Sequence, residues 1–165
     1  MASQEFSFDI VSKVDLAEVK NAFNQAQKEL ENRYDFRGTS ASLDFDEKEI
    51  SMTADDEFRM DQLRDIVFNK LIKRNVDSRS IEYGKVEPGP GVSVKQKVTF
   101  KQGIAQDKAK ALVKQIKENK ALKVNAQIQG EELRISSKDK DDLQKAINFV
   151  KGLELEFPVD FVNYR

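Results

Sequence analysis

The side chains best suited to grip a small polar ligand fall between residues 123 and 136. Lys123, Asn125, Gln127 and Gln129 alternate with Val124, Ala126 and Ile128, so a strand there puts the four polar groups on one face. Arg134 and Ser136 stand on the next alternating segment. A carboxamide donates and accepts at once, and a guanidinium holds phosphate through parallel N–H bonds. Such a face is equipped to read a base edge and hold a phosphate together. The same pattern also describes the water-facing side of an ordinary antiparallel sheet, which is polar in any case.

Two further sets carry charge. Residues 95–123 hold nine lysines against two acids, Asp107 and Glu118. Lys95, Lys97 and Lys101 alternate outward on a strand pattern, and Lys110, Lys114 and Lys117 share a helix face. They are candidates for phosphate or RNA-backbone contacts, with the salt-dependent affinity that phosphate neutralisation brings; the plainer reading is a solvated lysine-rich surface. Arg33-Tyr34-Asp35-Phe36-Arg37 places a ring between two guanidiniums, a set able to stack a guanine and pair its phosphate. It serves equally as a plug at a helix end, with Phe36 packed and Arg33 and Arg37 paired to neighbouring acids.

Other chemistry is closed off by composition. The 165 residues contain no cysteine and no histidine, which removes thiolate and imidazole nucleophile pairs and zinc sites built on them. No Walker or dinucleotide fingerprint is present. Asp44, Asp46 and Glu47 lack the glycine of a calcium loop, and Asp55-Asp56 and Asp141-Asp142 suit the first turns of helices. No catalytic residue, metal ligand or cofactor is therefore expected, and the chain reads as a binding protein. No apolar run approaches the roughly 18–20 residues of a membrane span. Met1–Phe8 has neither the basic start nor the apolar core of a signal peptide, so a cytoplasmic location is expected. A net charge of −1 hides an asymmetry. Residues 1–90 carry 13 basic and 19 acidic side chains, and residues 91–165 carry 15 and 10.

The elements that must position these groups recur. Strand, helix, strand, strand, helix and strand can be read twice. The hairpin-and-helix portions superimpose without a gap at an offset of 83, with Ile50 on Leu133, Met52 on Ile135, Asp56 on Asp139, Met60 on Leu143 and Val67 on Val150. The first copy opens on Phe6–Val11. Its first helix starts from Asp15, with Glu18 in capping-box position. The second copy opens on Val92–Lys101, with Val94, Gln96, Val98 and Phe100 inward, and its first helix spans roughly 105–119. This βαββαβ order is the ferredoxin-like motif. The fold class expected is α+β, two tandem ferredoxin-like domains at 1–87 and 92–165, joined by the Pro/Gly segment 88–91. The strands at 50–53 and 132–136 lack the aromatic residues on which RNA-recognition domains stack bases.

Phe8-Asp9-Ile10-Val11-Ser12, Tyr34-Asp35-Phe36-Arg37-Gly38, Lys101-Gln102-Gly103-Ile104, the run from Leu122 to Gly130, Asp141-Asp142-Leu143-Gln144 and Phe161-Val162-Asn163-Tyr164-Arg165 closely resemble the YajQ proteins of bacteria. The resemblance covers nearly the whole chain. It implies two tandem ferredoxin-like domains that exchange their first strands, so that 6–11 pairs in the C-terminal sheet and 92–101 in the N-terminal one. It also implies nucleotide binding, with cyclic di-GMP as ligand for members assigned as receptors, and an association with RNA; a transcription-regulator protein is a candidate partner. It supplies no catalytic residues. The combined expectation is a non-enzymatic nucleotide-binding protein using Lys123, Asn125, Gln127, Gln129 and Arg134. The alternative is an RNA-binding module built on 95–123.

Overall fold

A computed structural model describes residues 5–165. The reading of Met1–Phe8 as no leader therefore falls partly on residues 1–4, which lie outside those described. The strands are β1 (Phe6–Val11), β2 (Ser42–Asp46), β3 (Glu49–Ala54), β4 (Ile81–Tyr83), β5 (Glu87–Pro88), β6 (Val94–Phe100), β7 (Asn125–Gln129), β8 (Glu132–Ser137) and β9 (Asp160–Val162). The helices are α1 (Leu16–Asn32), α2 (Glu57–Lys73), α3 (Gln106–Glu118) and α4 (Lys140–Lys151). Among the described residues no helix is long and apolar enough to cross a membrane.

The chain divides into two compact units, Val14–Lys101 and the residues up to Lys13 with Gln102–Arg165. Each is a ferredoxin-like α+β unit with two helices on an antiparallel sheet. The sheet of the first runs β2-β3-β6-β4, with β5 also paired to β6. That of the second runs β7-β8-β1-β9. Thus β1 pairs Phe8 with Ile135 and Asp9 with Arg134, while its other side pairs Ile10 with Phe161. In the other unit β6 pairs Met52 with Gln96 on one side and Val98 with Tyr83 on the other.

The internal repeat survives as packing. β3 and β8 have the same alternation of half-buried and buried positions. Ile50, Met52, Met60 and Val67 lie in one core, and their counterparts Leu133, Ile135, Leu143 and Val150 in the other. Each such buried side chain contributes about 1.5–3 kcal/mol of transfer free energy. Asp56 and Asp139 both cap helix N-termini, accepting from the N–H of Arg59 at 2.7 Å and of Asp141 at 2.9 Å.

Two local readings change. Asp15 caps α1 through the N–H of Ala17, but Glu18 does not complete a capping box; it accepts from Asn21 and pairs with Arg74. Pro88–Gly91, expected as a linker, lies inside the unit Val14–Lys101. It is the turn between β5 and β6, closed by the Gly89 N–H on the Ser93 carbonyl at 2.8 Å. The chain instead passes between units at 13/14 and 101/102. Gln96 is inward as expected, at 6% exposed. It is satisfied there by accepting from Arg64 Nε at 3.1 Å and donating to the Gly84 carbonyl at 2.8 Å.

Gly103 fastens the second of these passages. Its N–H donates to the Ser12 carbonyl at 2.6 Å, and the next N–H, of Ile104, donates to the Glu131 carbonyl at 2.9 Å. Its φ is +82°, and an added Cβ would stand 2.8 Å from Glu131 Cβ. Gly38 has a similar φ of +75° but open space around it. Gly103→Ala is accordingly expected to destabilise the protein by about 1–3 kcal/mol, and Gly38→Ala by less. Thermal unfolding of the two variants checks this, since equal losses would leave only the backbone contribution.

Candidate nucleotide site

β7 is an edge strand, and Asn125, Gln127 and Gln129 stand exposed on it while Ala126 is buried. Lys123 is exposed just before the strand, and its carbonyl accepts from Ser137 Oγ at 2.9 Å. Register then places Gln127 opposite Arg134, Arg134 opposite Asp9, and Asp9 opposite Val162. One polar row therefore crosses the sheet from its edge inward.

Asp9 is the anchor of that row. It is 4% exposed, a position where an unpaired carboxylate is costly. Arg134 Nε donates to its Oδ1 at 3.0 Å, and Asn163 Nδ2 donates to its Oδ2 at 2.8 Å. The hydrogen bond from Arg134 is the largest influence holding the Asp9 carboxyl below its usual range; burial opposes it, and Asn163 adds to it. Asn163 achieves its position with a φ of +57°, a left-handed conformation that asparagine tolerates better than most residues. Nε thus fixes Arg134, and its terminal nitrogens form no hydrogen bond to protein among the described residues. The guanidinium is oriented beforehand beside the exposed Gln127 amide, which suits it to an anionic ligand.

The lysines sort differently. Lys95 and Lys97 are exposed on β6, and Lys101 follows that strand, all in the unit that lacks the Gln127 row. Acids stand among them: Lys97 pairs with Glu49 at 3.2 Å, Lys101 pairs with Glu82 at 3.6 Å, and Glu87 lies opposite Lys95. Between β4 and β5, residues 85 and 86 bulge against the single residue Gln96. The bulge turns Lys85 into a hollow of about 160 Å³ that Ser51, Glu87, Lys95 and Lys97 also line. The basic stretch 95–123 is divided, because Lys110, Lys114 and Lys117 ride on α3 in the other unit.

The aromatic turn is largely a plug. Phe36 is 5% exposed. Arg33 grips Asp35 through Nε at 2.9 Å and Nη2 at 2.8 Å, and approaches Glu29 at 3.5 Å. Arg37 instead stands over the exposed Tyr34 ring, 5.5 Å from its centroid. Of the two guanidiniums only that of Arg37 is without an acid partner among the described residues.

Sequence reading missed Asp9, Asn163 and Lys85. The alternation of β1 does set Asp9 on the face opposite Phe6, Phe8 and Ile10, yet nothing local names its partners, which lie 125 and 154 residues away. A bulge breaks the alternation that would have flagged Lys85.

The fold is thus a pair of ferredoxin-like units, one of which carries an oriented guanidinium beside exposed amides on its sheet. The comparison with known sequences makes the assignment specific: residues 6–165 match the family described as nucleotide-binding protein YajQ-like, and the chain belongs to that family. A protein of Desulforamulus reducens named nucleotide-binding protein is 52% identical over 164 residues, 99% of this chain and 98% of that one. Nucleotide-binding proteins of Bacillus cereus and Bacillus mycoides are each 46% identical over 163 residues, 99% of both chains.

A carboxyl with a lowered folded pKa adds stability above its unfolded value of about 3.9, and that stability is lost as pH falls through the folded value. Arg134→Gln removes the main cause of the lowering. The Asp9 carboxyl should then titrate at higher pH in a carbon-detected NMR titration, and acid unfolding should begin at higher pH. An unchanged Asp9 titration would show that Arg134 does not set its charge.

Proposed function

We propose that this is a non-enzymatic, cytoplasmic protein that binds an anionic guanine nucleotide, cyclic di-GMP in the first instance, on the open face of the sheet β7-β8-β1-β9. The observation that carries the reading is the row Gln127–Arg134–Asp9–Asn163, in which a buried carboxylate fixes a guanidinium next to exposed amides. Arg134 and Lys123 hold phosphate, and Asn125, Gln127 and Gln129 meet base or ribose. Occupancy then alters contact with a transcription-regulator protein. The names of the relatives support nucleotide binding in general, and the choice of guanine and of a cyclic dinucleotide rests on the wider resemblance.

RNA binding through 95–123 is the second reading, favoured by the hollow that Lys85, Lys95 and Lys97 line. It is weakened by the acids paired with Lys97 and Lys101 and by the division of the stretch between units.

Binding of labelled cyclic di-GMP at two salt concentrations, with GTP and a short RNA as competitors, separates the two. Losing one hydrogen bond of about 1.4 kcal/mol is a factor of ten in affinity, so Gln127→Ala should weaken the dinucleotide about tenfold while leaving stability unchanged. Unaltered affinity in that variant would remove the assignment. Salt-sensitive binding of RNA without binding of the dinucleotide would favour the lysines.

A further inference from the structure

In the unit that carries β1, a cavity of about 350 Å³ opens between the start of β1, α4 and the last two residues. That is within the usual size of small-ligand clefts, about 300–1,000 Å³. Its floor is apolar, with Leu143 7% and Ile147 5% exposed. Two rings border it. Tyr164 leans on Phe8, with ring centroids 6.1 Å apart at 37°, yet stays 64% exposed. Phe6 is half-buried, and Lys140 Nζ stands 4.9 Å from its ring centroid.

The charged side chains that line this cavity have one sign. Lys140 and Arg165 line it, and no aspartate or glutamate does. Neither cation forms a salt bridge among the described residues, in contrast to Lys97 and Lys101 of the other unit. Arg165 is held by its main chain, which exchanges two hydrogen bonds with Ser7, at 3.2 and 3.0 Å. Gln144 donates through Nε2 to Asn148 Oδ1 at 3.1 Å, which fixes the amide and leaves Oε1 as an acceptor at the wall.

An apolar floor, two accessible rings, one oriented amide and two cations without salt bridges fit a ligand that is flat and aromatic at one end and anionic at the other. A bare phosphate has no use for the rings, and a neutral apolar molecule has no use for the cations. We propose that this cavity is a binding site for a purine nucleoside monophosphate group, either free or as one half of a larger nucleotide. The base lies against Tyr164 over Leu143, and the phosphate lies between Lys140 and Arg165. The phosphate draws Lys140 away from the Phe6 ring, because an ammonium is held more firmly by a full charge than by a ring face. The proposal rests on the nucleotide-binding reading but places the ligand at residues other than the Gln127 row.

The test is a titration of the full chain with GMP, followed through backbone amide resonances, with ribose 5-phosphate and inorganic phosphate as controls. Saturable GMP shifts at Leu143, Gln144 and Tyr164, weakened about tenfold by Lys140→Gln and by Tyr164→Leu, are expected. Both side chains are exposed, so neither variant threatens folding. Shifts confined to Asn125–Arg134 would overturn the cavity site while leaving nucleotide binding on the sheet face intact. An equal response to inorganic phosphate would overturn the role of the rings. No shift with GMP or with cyclic di-GMP would overturn both assignments.

Discussion

The sheet β7-β8-β1-β9 has no continuous ladder without β1, whose two edges pair with β8 and with β9. Its inward residues Phe8 and Ile10 are fully buried in the core, and its outward residue Asp9 anchors Arg134 and Asn163. One strand of six residues therefore completes the hydrogen bonding of a sheet, fills its core and fixes the charge on its open face. A substitution in β1 acts on all three together, so its effect on binding cannot be separated from its effect on folding. Gln127, on the edge strand, has no such burden.

The two units share a packing scheme and differ on their surfaces. The equivalent strands β3 and β8 bury the same alternate positions. On the open face of one sheet, Lys97 and Lys101 are matched by Glu49 and Glu82, which reduces the field that a phosphate meets. On the other sheet Arg134 pairs with Asp9 through Nε, Glu132 pairs with Lys13 at 3.8 Å, and three amides stand exposed on β7. A duplicated scaffold thus carries different surface groups on its two open faces. Fold likeness to RNA-recognition domains carries no binding assignment by itself, because a shared scaffold hosts many functions.

Much of this was legible in the sequence. Period-two and period-3.6 patterns locate the strands and helices, and the offset of 83 aligns the two cores residue by residue, because burial depends on local alternation. The helix caps Asp15, Asp56 and Asp139 were legible for the same reason. Pairing was not legible from pattern, because β1 and β8 are more than a hundred residues apart and no local rule names a strand's neighbour. Pro88–Gly91 carries the composition of a linker and of a hairpin turn alike, and only the pairing of β5 with β6 separates them. At the candidate site, alternation exposes Gln127 and Arg134. The carboxylate that orients Arg134 depended on register across the sheet.

We propose that nucleotide lies on the face of β7 and β8. Because β7 is an edge strand, its outer amides exchange readily and report on anything that covers them. Amide hydrogen–deuterium exchange of the full chain, with and without saturating cyclic di-GMP, tests it most directly. Slower exchange across residues 124–137, with little change across 85–101, is the predicted result. Protection confined to 85–101, or no protection anywhere at saturation, would contradict it.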